Sequence, residues 1–157
     1  MFTMRRVAWA AKQVVTSSYR YWRIQWTAPG SGADGFLDCR EIELRGSVGG
    51  SDLTSPSTAI TNSAALWLSF GSTPGQLVDN NTSVTSTSGY TTNSTTTFDL
   101  VTPQSVAEFA YMAATISRAP QGLSIYGSND GSSFTLLKAY TGISGWSSGV
   151  YKTFSTT

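Results

Sequence analysis

The sequence predicts an all-β protein, an antiparallel β-sandwich of about eight strands, and three observations predict it. From residue 19 onward, short apolar or alternating runs are separated by Gly, Pro, Asn, Asp and Ser. Helical periodicity is nearly absent over the same span. "GLSIYGSNDGSSFTLLKAY" places two alternating runs around Asn129, Asp130 and Gly131, residues whose tolerance of positive φ suits a tight hairpin turn. A chain of 157 residues has room for one domain with a core and a short appendage, which divides it into an N-terminal arm over 1–18 and a sandwich over 19–157.

The arm, "MFTMRRVAWAAKQVVTSS", starts basic, but Lys12 and Gln13 break its apolar stretch too early for a signal peptide or a membrane span. Val7, Ala10, Ala11, Val14 and Val15 share a weak apolar face at helical spacing, suited to docking on a neighbouring subunit; a frayed or strand-like terminus is the alternative. In "YRYWRIQW" a period of two sets Trp22, Ile24 and Trp26 on one face and Tyr19, Tyr21, Arg23 and Gln25 on the other, a strand with one buried side. Gly30, Gly32 and Gly35 have G-x-G-x-x-G spacing, yet "FLDCREIELR" follows with Ile42 and Leu44 on one face and Glu41 and Glu43 on the other. The glycines therefore close a hairpin or wide loop rather than open a phosphate-binding helix.

"ALWLSF" reads as a buried strand, "STTTFDLV" as a strand leading to Pro103, and "SVAEFAYMAA" as a mostly buried central strand with a helix as the alternative. Between them residues 82–97, nearly pure Thr and Ser, read as a long exposed loop or edge hairpin. "GVYKTFS" closes the domain with one more strand.

Composition narrows function. The formal net charge is +1 and Ser and Thr make up more than a quarter of the chain, a balance that favours neutral partners over nucleic acid. Cys39 is the single cysteine and histidine is absent, which excludes an intrachain disulfide, a His/Cys zinc site and the commonest general base. Cys39 reads as a small apolar residue. Glu41 and Glu43 sit on one strand face with no further acid singled out to flank a glycosidic bond, so no enzymatic activity is expected. Arg20 and Arg23 fall on opposite strand faces and form no basic stripe.

"FDLVTPQSVAEFAYMAA" and "GLSIYGSNDGSSFTLLKAYTGISGWSSGVYKTFS" together resemble the middle and end of a discoidin-type domain, the coagulation factor 5/8 C-terminal, galactose-binding-like family. That family has a jelly-roll sandwich, and in it strands of the "RYWRI" and "EIEL" kinds close the domain. Here "YRYWRIQW" and "REIELRG" open it, so the order resembles a circular permutation, which a sandwich with neighbouring surface termini permits. The permuted layout is similar to small discoidin-like proteins of tailed bacteriophages.

The resemblance implies a structural calcium, for which Glu41, Asp79 and Asn81 are the candidate oxygen ligands. Asn80 stands where the family has glycine, and Val84 and Ser86 where it has threonine and tryptophan; a capped turn at Asp79 is the alternative. It also implies sugar binding, with Tyr90 and Trp146 as exposed rings and Arg118 as a hydroxyl clamp; for Trp146 the competing role is a loop anchor.

The expected function is a non-enzymatic bacteriophage virion protein, tail-associated or head-decorating. Such a protein is made in the host cytoplasm and carried on the particle. Its expected partners are other virion proteins met through the arm, a second copy of itself, and a host-surface glycan; membrane insertion is not expected. The alternative is a carbohydrate-binding adhesin module, soluble or attached to an enzyme.

Overall fold

Alternation along residues 22–26 decides which side of β1 (Ser18–Ala28) is buried: Trp22, Ile24 and Trp26 are almost wholly shielded, as the period of two requires. The computed structural model describes residues 17–32, 34–63, 73–89 and 91–157. Most of the arm, and the "ALWLSF" segment, lie outside the described residues. Among the described residues no helix is long and apolar enough to cross a membrane.

β1 is the middle strand of a five-stranded sheet. Its order is β4 (Ala59–Asn62), β6 (Thr95–Ser105), β1, β8 (Gly122–Ser128) and β9 (Thr135–Tyr140). Facing it is a three-stranded sheet of β10 (Tyr151–Ser155), β7 (Glu108–Met112) and β3 (Glu41–Arg45), and β2 (Phe36–Cys39) pairs separately with β5 (Ser86–Gly89). Every pairing among the described strands is antiparallel. The protein is therefore an antiparallel β-sandwich, compatible with a galactose-binding-like fold.

The inner faces meet through aromatic rings. Trp22 lies 6.1 Å from Phe109, Trp26 5.6 Å from Tyr111, and Phe98 6.2 Å from Phe109, centroid to centroid. Register aligns Leu44, Phe109 and Phe154 in one row across the smaller sheet, and Ile24 opposite Ile125 in the larger. These residues are buried, and truncating one of the central rings to alanine costs about 3–5 kcal/mol. β7 is the buried central strand that its apolar run predicts, not a helix.

Several elements depart from simple alternation. Tyr19 sits over Trp22 with ring centroids 5.5 Å apart, on the face that a strict period of two denies it. The cause is an irregularity in the β1–β6 ladder: Tyr19 pairs with Gln104 and Tyr21 with Asp99, so β6 carries three extra residues there and Val101 takes a φ of 67°.

"FLDCREIELR" divides at Arg40 into β2 and β3, which join different sheets, raising the number of strands among the described residues to ten. The glycine-rich segment before it is a wide loop between sheets, not a hairpin. The Thr/Ser run over 82–97 is not all loop: β5 pairs with β2, Thr95 already belongs to β6, and Ser94 and Thr96 are buried. The β8–β9 connection is six residues, wider than a tight turn, because Asp130 accepts the backbone N–H groups of Ser132 and Ser133 and the Ser128 hydroxyl.

Candidate functional site

At one end of the sandwich, the loop residues 29–32 pack against the 3-10 turn Ile116–Arg118, where the Gly32 amide donates to the Ser117 carbonyl at 2.7 Å. This contact holds Asp34 beside Arg118, whose Nε and Nη2 both reach Asp34 Oδ2 at 2.8 Å. The Phe36 amide and Arg118 hold the Asp34 carboxyl below its usual range. The Arg118 guanidinium also lies 5.3 Å from the Phe36 ring centroid. Arg118 is thus engaged on two sides, about one third exposed.

Trp146 hangs from the same region. Its Nε1 donates to the Pro120 carbonyl at 3.2 Å, its ring meets Tyr111 edge-on at 5.5 Å, and Phe154 lies 6.0 Å away. It is half-buried, and its remaining surface lines a cleft of about 170 Å³ with Ile116, Gln121, Ile143 and Ser144. Trp146 is an anchor that also forms a wall. Arg118 is not part of that wall, and Tyr90 lies outside the described residues, so the three sugar candidates are not seen converging.

The candidate calcium ligands form a corner at the start of β3. The 3-10 turn Pro74–Leu77 and the buried Leu77 and Val78 pin the next residue, Asp79, against the core edge. Asp79 Oδ1 accepts the Asn81 amide at 2.8 Å, and Asn81 Oδ1 accepts the Ser83 amide at 3.2 Å, so the capped turn is present. Asn80 adopts a φ of 59°, in the left-handed region that asparagine tolerates better than most residues.

Glu41 is the unusual member of this corner. Its side chain is fully buried and neither carboxylate oxygen has a well-aligned hydrogen-bond partner among the described residues. Burial first, then the charges of Asp79, Asp52 and Glu43, push its pKa up to about 8, with the Asn80 amide acting in the other direction. A cation bound at this corner would remove that penalty and expel the proton.

No three His, Cys, Asp or Glu side chains among the described residues form a metal centre by themselves. A metal here needs amide or carbonyl oxygens and water to complete its shell, which calcium accepts and zinc does not. The donor set fits calcium.

Glu43 is committed elsewhere: its Oε2 accepts Arg45 Nε at 2.6 Å, and Arg45 Nη1 reaches Glu108 Oε1 at 3.0 Å. Cys39 is buried with its thiol directed to the Glu41 carbonyl, and burial pushes its pKa well up.

Two participants escaped the sequence reading. Asp52 acts on Glu41, and its own signal was the D-x-T pattern, seen as the Thr54 amide and hydroxyl bonding its Oδ1. Asp34, the partner of Arg118, carried no pattern that names it.

Comparison of the chain with protein-family models, with curated proteins and with solved structures finds no match.

Proposed function

We propose that this chain is a non-enzymatic structural protein of a bacteriophage particle, a discoidin-like sandwich that docks through the segment over 1–18 and turns its loop end outward. The observation that carries the reading is the placement of β1. The strand that follows the arm is the central one of the larger sheet, laddered on both sides and anchored by Trp22 and Trp26. A pull on the arm is resisted by two ladders and the core together, rather than by an edge strand that can peel.

The permuted discoidin order is supported by where the sandwich strands begin and end. Ser18 pairs with Ser105, and the Thr156 amide donates to the Ala107 carbonyl at 3.0 Å, so both meet at the link between β6 and β7. In this reading Glu41 and Asp79 hold a structural calcium, with an oxygen from Asn81, and the ion stiffens the loop before β5.

The test is deletion of residues 1–18 from the gene in its phage. The expected result is a variant that melts as the full chain does but is missing from purified particles. Unchanged incorporation overturns the docking role. A second reading, a glycan-binding module acting at the loop end, is favoured by the cleft beside Trp146. Binding of the purified chain to host-surface glycans, lost in Tyr90→Ala with stability unchanged, supports it.

A further inference from the structure

The outer face of the five-stranded sheet holds a second cleft, of about 190 Å³, away from the loop end. Two register rows cross it: Ala59, Asp99 and Tyr21 in one, Thr61, Thr97 and Arg23 in the other. All six line the cleft, and Gly131 of the β8–β9 connection closes its side.

Arg23 is the unusual group. Its Nε donates to Thr97 Oγ1 at 2.9 Å and its guanidinium lies 3.4 Å from the Phe134 ring centroid, which fixes the plane of the fork. Arg20, Arg45 and Arg118 each have a carboxylate partner, and Arg40, away from this cleft, donates to the Thr82 carbonyl. Arg23 has none among the described residues, and no acceptor is present there for its two terminal nitrogens. Partial burial lowers its pKa, with Tyr126 acting in the other direction. A stacked, partly desolvated guanidinium with its outer edge vacant is preorganised for a planar, two-oxygen anion.

The other groups suit hydroxyls rather than a second charge. Asp99 is neutralised by Arg20, Nε to Oδ1 and Nη2 to Oδ2, both at 2.8 Å. The irregularity in β6 aims it: Asp99 Oδ1 also accepts the amide of Val101, the residue at positive φ. Oδ2 keeps acceptor capacity for a ligand hydroxyl. Thr61 and Thr97 offer hydroxyls from neighbouring strands. Tyr21 is backed by Gly131, so closely that a methyl group built on Gly131 would lie 3.2 Å from its ring. The cleft is smaller than the roughly 300–1,000 Å³ of sites for drug-sized ligands, which fits one ring rather than a chain.

We propose that this cleft binds a single carboxylate-bearing sugar unit, a hexuronate, with its carboxylate on the terminal nitrogens of Arg23 and its hydroxyls on Thr61, Thr97 and Asp99. The site does not depend on the particle role above, since the isolated chain is sufficient to test it.

The experiment titrates the full chain, labelled for amide NMR, with glucuronate, galacturonate, galactose and inorganic phosphate at neutral pH. At least one hexuronate produces saturable shifts at residues 59–61, 97–99 and 129–134, and galactose and phosphate bind at least tenfold more weakly. Arg23→Lys, which keeps the charge and loses the fork, weakens the hexuronate at least tenfold. Thr61→Val, on the exposed strand β4, weakens it several-fold and serves if Arg23→Lys folds poorly. Lys138→Gln, which removes a charge from the far edge of the same sheet, leaves it unchanged. Absence of saturable shifts with both hexuronates overturns the proposal, as does phosphate binding equally well or a Thr61→Val variant indistinguishable from the parent.

Discussion

Trp146 stands edge-on to Tyr111, ring centroids 5.5 Å apart at an interplanar angle of 68°, and is tied by its indole N–H to Pro120. This contact joins the loop before β10 to the centre of the smaller sheet. Trp146→Ala therefore removes a half-buried ring and a hydrogen bond together, and about 2–3 kcal/mol of stability is expected to go with them. Urea denaturation measures it as a lower midpoint at unchanged slope. A loss below about 0.5 kcal/mol contradicts the anchoring role. Any loss of sugar binding in this variant has to be read against its stability, which is why Tyr90 is the cleaner position for that question.

Glu41 makes stability depend on pH in a stated direction. Its native pKa is raised from the ordinary 4.5 to about 8, so between those values the unfolded chain has released a proton that the native protein still holds. The metal-free protein is most favoured by this group below about pH 4.5. It loses that contribution as pH rises towards 8, by on the order of a few kcal/mol in total, and then levels off. Glu41→Gln flattens the profile.

Under the calcium proposal, calcium added to chelator-treated protein at pH 7 is expected to raise the melting temperature and release protons, since the ionised carboxylate becomes the favoured form. Thermal melts in metal-free buffer and a calorimetric titration in buffers of different ionisation enthalpy check both halves. A flat profile in the parent removes the buried charge, and the absence of both heat and melting shift removes the calcium.

Gly30 is expected to tolerate no side chain. A Cβ there would lie 2.2 Å from the Ser117 carbonyl oxygen and 2.6 Å from the Arg118 Cα, both backbone atoms that cannot rotate aside. Gly30→Ala should separate loop 29–35 from the turn Ile116–Arg118 at a cost of about 2 kcal/mol or more. Faster amide exchange at Gly32, whose N–H bonds Ser117, reports that separation directly. Protection of Gly32 equal to the parent contradicts it.

The sandwich was legible in the sequence because its inner faces obey the period of two: Trp22, Ile24 and Trp26 alternate, and so do Leu123 and Ile125. What alternation does not encode is the second side of β3. Alternation sets Glu41 and Glu43 opposite Ile42 and Leu44 but does not say that this face is covered; both are buried, with Arg45 of the same strand bonded to Glu43 and with Asp52 and Asp79, from later in the chain, beside Glu41. The outer cleft was hidden for a related reason. Tyr21, Arg23, Thr61, Thr97 and Asp99 become neighbours only through strand register, and the extra residues in β6 that aim Asp99 leave no mark beyond Pro103. Ligand-bearing residues here are joined by non-local pairing, and local pattern carries no information about which strands become neighbours.

The Glu43–Arg45–Glu108 group gives the sharpest test of how the smaller sheet is held. Arg45 bonds both acids, its side chain 15% exposed, while Glu108 is 5% exposed and also accepts the Gly49 amide at 2.9 Å. Removing the cation leaves two shielded carboxylates without their counter-charge, so Arg45→Met is expected to cost about 3–5 kcal/mol. Adding Glu108→Gln to that variant removes one stranded charge and restores part of the loss, although Glu108→Gln alone is destabilising. The sign of this coupling is the diagnostic quantity, measured by a double-mutant cycle in denaturant at pH 7. Additive losses show that Arg45 stabilises through its packing over Tyr151, 5.1 Å from the ring centroid, rather than through charge.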